Sequence, residues 1–248
     1  MDQGGDATGF TFTAGDASQC LPERLQLDAS GKLCYSPAGK GGVNGAANNM
    51  ENLVAVQIPP ATNAEPVAAA VTICGVNDPG LTAGEYFWQN AGVVLGHHGA
   101  LQTTFALCGL VYGKNAPFGT MNLFHKVEVN DQFVAQRGTQ LKTFAGEPIV
   151  GNSRSLCLAL KLEFDEGSDQ TTCAYEIFEE PSSSGACGLD CATLSIDTPI
   201  GSPIPVPESF APTAAGLSAS SKPNGKPTDF CFDCFCVGSP DECGAGVA

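Results

Sequence analysis

The chain has 248 residues, and its 11 basic and 26 acidic side chains give a formal net charge of −15 at pH 7. That charge excludes a protein that binds nucleic acid through phosphates, which needs many basic residues, and it argues against binding to anionic membrane surfaces. The apolar runs stop short of the roughly 18 residues of a membrane span, so the sequence predicts none.

Period-two alternation of apolar and polar residues is the main local pattern, and it predicts β-strands along the first 180 residues. A turn at 28–31 predicts a hairpin between residues 25–27 and 32–35. Alternation is clearest at 155–164, where every second residue is leucine or phenylalanine and a half-buried strand is predicted. The other predicted strands are 9–13, 53–58, 67–76, 85–95, 101–112, 121–129 and 172–178.

Turn-forming stretches separate these strands, and no segment of ten or more residues has a helical period. We therefore expect an all-β fold, an antiparallel β-sandwich or jelly roll. The composition changes at Pro181, and 9 of the 17 prolines lie between Pro181 and the end of the sequence. The sequence predicts a β-sandwich body at residues 1–180 and a long Pro/Gly/Cys-rich C-terminal extension at residues 181–248. Within that extension, 198–207 is predicted to be an extended linker.

Twelve cysteines are dispersed along the chain, which is typical of proteins in an oxidising compartment. The sequence therefore predicts an extracellular or cell-surface protein, although residues 1–15 contain no signal-peptide pattern. A zinc site in the C-terminal cluster remains the alternative, because its spacing is loosely metal-like. The candidates for disulfide bonds are Cys20, Cys34, Cys74, Cys108, Cys157, Cys173, Cys187, Cys191, Cys231, Cys234, Cys236 and Cys243.

The three histidines give little support for a metal centre or for imidazole catalysis. His97 and His98 lie side by side in a glycine-flanked turn, and His125 lies on a predicted strand. A jelly-roll metal site needs alternating histidines at a spacing that this chain does not have. We expect exposed or packing roles for these residues, and we predict no cofactor apart from the calcium hypothesis below.

Acidic residues suggest two further hypotheses. A jelly-roll hydrolase would need two carboxylates facing one cleft, and Glu85, Glu128 and Glu163 are the candidates. The loop from Asp165 to Asp169 has oxygen donors suited to calcium. A solvated acidic surface is the preferred interpretation of that loop, and calcium binding is the alternative.

The preferred function is a non-enzymatic structural subunit of an extracellular or surface filament, sheath or coat. Residues 230–237 form an apolar strand-like segment, and we expect Phe230, Phe232, Phe235 and Val237 to dock onto a neighbouring copy. The chain would then be a homo-oligomer or polymer. The alternatives are a β-sandwich module that binds a carbohydrate or another ligand, with a glycan as its partner, and the jelly-roll hydrolase.

Overall fold

The computed structural model of the protein describes residues 11–13, 25–27, 33–35, 53–58, 66–74, 88–113, 120–140, 156–179, 194–221 and 230–243. Within these ranges the regular structure consists of β-strands. They are β1 (Thr11–Thr13), β2 (Leu25–Leu27), β3 (Leu33–Tyr35), β4 (Leu53–Gln57), β5 (Val67–Cys74), β6 (Trp88–Gly96), β7 (Phe105–Gly113), β8 (Thr120–Val129), β9 (Gln132–Gln140), β10 (Leu156–Asp165), β11 (Gln170–Glu179), β12 (Thr198–Pro199), β13 (Ile204–Pro205), β14 (Ala214–Ser221) and β15 (Phe230–Gly238).

The strands form two sheets in which all the pairings are antiparallel. The seven-stranded sheet has the order β1-β4-β14-β6-β7-β8-β9. The eight-stranded sheet has the order β12-β11-β10-β5-β15-β3-β2, and β13 also pairs with β11. The predicted all-β antiparallel sandwich is thereby confirmed. No helix of the described ranges has the length and hydropathy needed to cross a bilayer.

The main core lies between the two sheets, where alternate residues of facing strands meet. From β10, Leu158, Leu160 and Leu162 enter it, and they face a core that includes Val93 and Leu95 of β6. The leucine alternation therefore predicted the core face of β10 correctly.

The prediction that β10 is half-buried was wrong, because its other face is covered as well. Cys157 and Ala159 are fully buried, and Lys161 is only 8% exposed. Leu194 and Ile196, from the segment that precedes β12, pack on this outer face. A covering segment that is distant in sequence cannot be recognised from the alternation of the strand itself.

Residues from both sides of the predicted boundary at 180 lie within each sheet. β14 lies between β4 and β6, and β15 lies between β5 and β3. The segment predicted to be a linker contributes β12 and β13 to the edge of β11. Its Ile200 and Ile204 are fully buried in the core between the sheets.

Leu160 provides the test of this core. Replacing Leu160 with alanine should lower the free energy of unfolding by about 2–5 kcal/mol, since apolar transfer energy is lost and a cavity remains. Ser209→Ala, at an exposed turn residue, is the control and should change the free energy by less than about 0.5 kcal/mol. Denaturant titration measures both values, and equally small effects would contradict the assignment of Leu160 to the core.

Candidate functional site: the edge of β9

Disulfide bonds connect strands that are far apart in sequence. Cys34 bonds to Cys231, which ties β3 to β15. Cys108 of β7 bonds to Cys173 of β11, which ties the two sheets together through the core. Near the C-terminal end of the described chain, Cys236 bonds to Cys243.

Cys157 and Cys234 are also disulfide-bonded. The prediction that disulfides support the fold is therefore confirmed, and these bonds fit an oxidising compartment. In the cluster from Cys231 to Cys243 the described cysteines are bonded, so they do not present the thiolates that zinc needs. The side chains of Cys20, Cys74, Cys187 and Cys191 lie outside the described residues.

His125 lies in the core and bridges the two sheets. Its side chain is fully buried, and its Nε2 lies 3.0 Å from Oγ1 of Thr171 on β11. Burial lowers the pKa of His125 from the ordinary value of 6.5 to about 4, and the positive charge of Arg137 acts in the same direction. The imidazole is therefore a neutral packing group at neutral pH, as the sequence predicted.

The other two histidines lie in the turn between β6 and β7. His97 stacks on Phe210 with the ring centroids 6.3 Å apart. The backbone N–H of His98 donates to Oγ1 of Thr213, 2.9 Å away. Both contacts hold the turn against the segment that leads into β14, which is a packing role.

The acidic hydrolase candidates are paired with lysines on opposite outer faces of the sandwich. On the seven-stranded sheet, Glu128 and Lys126 form a buried ion pair. On the eight-stranded sheet, Oε1 of Glu163 lies 2.9 Å from Nζ of Lys161. Stacked sheets lie about 10 Å apart, and these side chains point away from each other, so they do not flank a single cleft. Glu85 lies outside the described residues.

The predicted calcium loop is the tight turn between β10 and β11. The carboxylate of Asp165 accepts hydrogen bonds from the hydroxyl of Ser168 at 2.7 Å and from the N–H of Gly167 at 2.9 Å. These two bonds lower the pKa of Asp165. Across the described residues, no group of three potential metal ligands comes together. Calcium binding stays a prediction.

Three of the four side chains predicted to dock onto a neighbour, Phe232, Phe235 and Val237, pack inside this chain. Phe232 is 5% exposed and belongs to the main core, and Phe235 and Val237 pack against it. The side chain of Phe230 is not among those described. β15 pairs with β5 along most of its length, and its core-facing side chains are covered by the core between the sheets without a second copy.

A different element, β9, presents apolar surface to solvent. It is a nine-residue strand at one end of the seven-stranded sheet. The exposed large hydrophobic residues of the described chain lie here, with Phe133 59% exposed and Val134 39% exposed. Val134 has no partner on β8, because the register shifts between Val127 and Glu128. Among the described strands β9 pairs with β8 alone, and an edge strand of this length can bind another strand through its free backbone groups.

The edge of the eight-stranded sheet next to β11 is built differently from β9. There β12 and β13 are two residues long, and they contain Pro199 and Pro205. Proline and very short edge strands prevent unwanted pairing between sheets. β9 contains neither proline nor lysine; its one charged residue is Arg137, whose Nε donates to Oγ of Ser202 at 3.2 Å.

The sequence predictions missed β9, because QFVAQRGTQ has no sustained alternation of apolar and polar residues. A usable signal precedes it in the dipeptide Asn130-Asp131, because asparagine and aspartate tolerate the left-handed backbone conformation. In the structure both residues have positive φ angles, of 52° and 61°. Two residues of this kind after a strand are typical of a type I′ hairpin turn. That signal would have predicted a strand at this place, although not its exposure.

Comparisons with known proteins show similarity in fold alone. No family model matches the chain, and no curated protein matches it. A bifunctional GH43-CE protein of Bacteroides eggerthii aligns with 93% of this chain at 9% identity and a TM-score of 0.49, and the chain spans 24% of that protein. We draw no functional conclusion from likenesses of this degree.

Two further solved structures align over most of both chains. For a legume lectin-like domain from Entamoeba histolytica the identity is 7%, the TM-score is 0.43, and the coverage is 94% of this chain and 90% of that one. For the catalytic domain of a GH131 β-glucanase from Podospora anserina the identity is 11%, the TM-score is 0.42, and the coverage is 99% and 86%.

His125 makes stability depend on pH. The neutral form is favoured in the folded state, where the pKa is about 4 rather than 6.5, so stability is retained above pH 6.5 and lost as the pH falls through 4. Each unit of pKa difference corresponds to about 1.4 kcal/mol, which gives a loss of about 3 kcal/mol.

Denaturant titrations of the wild type and of His125→Gln at pH 7 and at pH 3 isolate this effect, because the carboxylates titrate alike in both proteins. The wild type should lose about 3 kcal/mol more than the variant. Equal losses in the two proteins would show that His125 is accessible to protons in the folded state.

The bond between the sheets should contribute more stability than the local one. Removing Cys108–Cys173, with a sequence separation of 65, should cost about 4 kcal/mol by loop entropy, whereas removing Cys236–Cys243, with a separation of 7, should cost about 2 kcal/mol. Paired alanine variants compared by denaturant titration test the order. A larger cost for the local bond would contradict it.

Proposed function

We propose that the protein is a non-enzymatic structural subunit of an extracellular or surface assembly, joined to its neighbour through the exposed edge of β9. The observation that carries the proposal is the pair Phe133 and Val134, exposed on a strand at the end of its sheet. In this proposal β9 replaces the C-terminal strand β15 as the docking element.

The chemistry of β9 supports strand addition. An added strand gains backbone hydrogen bonds along the edge, and side chains at alternate positions determine which strand fits. β9 has nine residues and contains neither proline nor lysine, although it carries a bulge at Val134. By contrast, β12 and β13 have two residues each and contain proline. Assembly through β9 needs an edge strand that is long enough to pair with another strand. β9 meets this condition, whereas β12 and β13 do not.

The disulfides support a role outside the reducing interior of the cell. The Cys108–Cys173 bond joins the two sheets, and the Cys34–Cys231 bond joins β3 to β15. Bonds of this kind persist in oxidising compartments. A fold cross-linked in this way suits a subunit that must stay folded outside the cell.

The positions of Glu128 and Glu163 support a role without hydrolysis. Each is held by a lysine on the same strand, and the two lie on opposite outer faces of the sandwich. A pair of catalytic carboxylates must flank one bond of the substrate. A glycan-binding role has no comparable observation in its favour among the described residues.

A charge placed on β9 tests the proposal. Val134→Lys should convert the assembled protein into monomers at micromolar concentration, because a lysine on an edge strand must be desolvated when another strand pairs with it. Val134 is 39% exposed, so the variant should fold normally. Analytical ultracentrifugation under oxidising conditions measures the size.

Ser209→Lys is the matched control, since it adds the same charge at an exposed turn outside the sheet edges. It should assemble as the wild type does. A wild-type protein that remains monomeric at high concentration, or a Val134→Lys variant that assembles as well as the control, would overturn the proposal. The ligand-binding module would then become the better hypothesis.

A further inference from the structure

β9 carries both a protruding side chain and an open position on the same face. Phe133 pairs with Glu128 of β8, and Gly138 pairs with Phe124 of β8. Residues directly opposite each other share a face, so Phe133 and Gly138 both lie on the outer face of the seven-stranded sheet. A Cβ placed on Gly138 would meet only the carbonyl oxygen of Leu123, at 3.3 Å.

The spacing of these two residues is self-complementary. In an antiparallel pair of β9 strands centred on Gln136, Ala135 lies opposite the partner's Arg137. Because Val134 is the extra residue of a bulge, the next residue to find a partner is Phe133, and it lies opposite the partner's Gly138. Each phenylalanine therefore covers the glycine of the other strand, an arrangement that stabilises glycine in sheets.

Charge also favours a second copy at this edge. The chain has a net charge of −15, so most contacts between copies would bring carboxylates together. β9 contains no acidic residue and a single basic one, Arg137. In the pairing centred on Gln136, the two arginines are not opposite each other, which avoids repulsion between like charges.

We infer that the occupant of the β9 edge is β9 of a second copy of this chain, paired antiparallel about a two-fold axis at Gln136, with each Phe133 over the partner's Gly138. This inference rests on the proposed function and names the partner. A contact of this kind uses the same surface on both copies and closes as a dimer. Growth beyond the dimer would then need another contact.

Two substitutions on β9 test the pairing. Phe133→Ala leaves both glycines uncovered, and Gly138→Val places a side chain under both phenylalanines. Phe133→Ala should dimerise about tenfold more weakly than the wild type, since two cross-strand pairs are lost. Gly138→Val should also dimerise more weakly, because its side chain takes the space over which both rings pack. Phe133 is exposed, and Gly138 has no positive φ, so both variants should keep the wild-type melting temperature within about 4 °C.

A mixture of the two variants provides the decisive measurement. In the mixed dimer, one contact is Phe133 over Gly138 as in the wild type. At the other contact, the alanine of Phe133→Ala faces the valine of Gly138→Val, which fills the space left by the phenylalanine. In an equimolar mixture, native mass spectrometry should therefore show the mixed dimer well above the one half of all dimers that random mixing would give. Val134→Lys, which blocks the edge itself, should form no mixed dimer with either variant.

The outcomes separate this inference from the proposed function. If the wild type assembles and Val134→Lys does not, but the mixture shows only a statistical distribution of dimers, the register or the partner is wrong and the role of β9 in assembly stands. If the wild type does not assemble, both are overturned. If Gly138→Val lowers the melting temperature markedly, Gly138→Ala replaces it in the mixture, and a smaller excess of mixed dimer is expected because alanine fills less of the space.

Discussion

The apolar layer between the two sheets determines where every other feature of the molecule lies. Leu158, Leu160 and Leu162 of β10 fill this layer opposite β6 and β7. The Cys108–Cys173 bond and the contact between His125 and Thr171 cross the same gap. Successive side chains of a strand point to opposite faces, so the residues that fill this layer fix which residues lie on the outer faces. The number of strands in each sheet fixes which strand lies at its edge.

The edge formed by β9 and the edge formed by β12 and β13 have opposite properties. The segment from Thr198 to Val206 closes the space between the sheets with buried isoleucines and leaves short, proline-containing strands at the edge of β11. Its Ser202 also accepts from Arg137 on β9. One segment thus protects one sheet and supports the exposed strand of the other. A protein that needed only solubility would have reason to protect both edges.

Much of the fold could be predicted from the sequence, because period-two alternation is a local property. It identified β10 and its core face, and it identified the strands around β6, β7 and β8. It failed for β14, whose sequence AAGLSASS is made mostly of small residues, and for β9. Burial of Lys126 and Lys161 could not be predicted, since it depends on segments distant in sequence. The exposure of Phe133 depends on the order of strands in the sheet, which alternation does not contain.

The central claim is that β9 is the strand through which copies of this chain associate, and amide hydrogen exchange tests it most directly. Exchange should be compared between dilute and concentrated protein under oxidising conditions. Amides of β9 should become protected at high concentration, because an added strand would satisfy the backbone groups at the sheet edge. The amides of Thr198 in β12 and Ile204 in β13 should not change. Equal exchange of β9 at both concentrations, in a protein that has assembled, would contradict the claim.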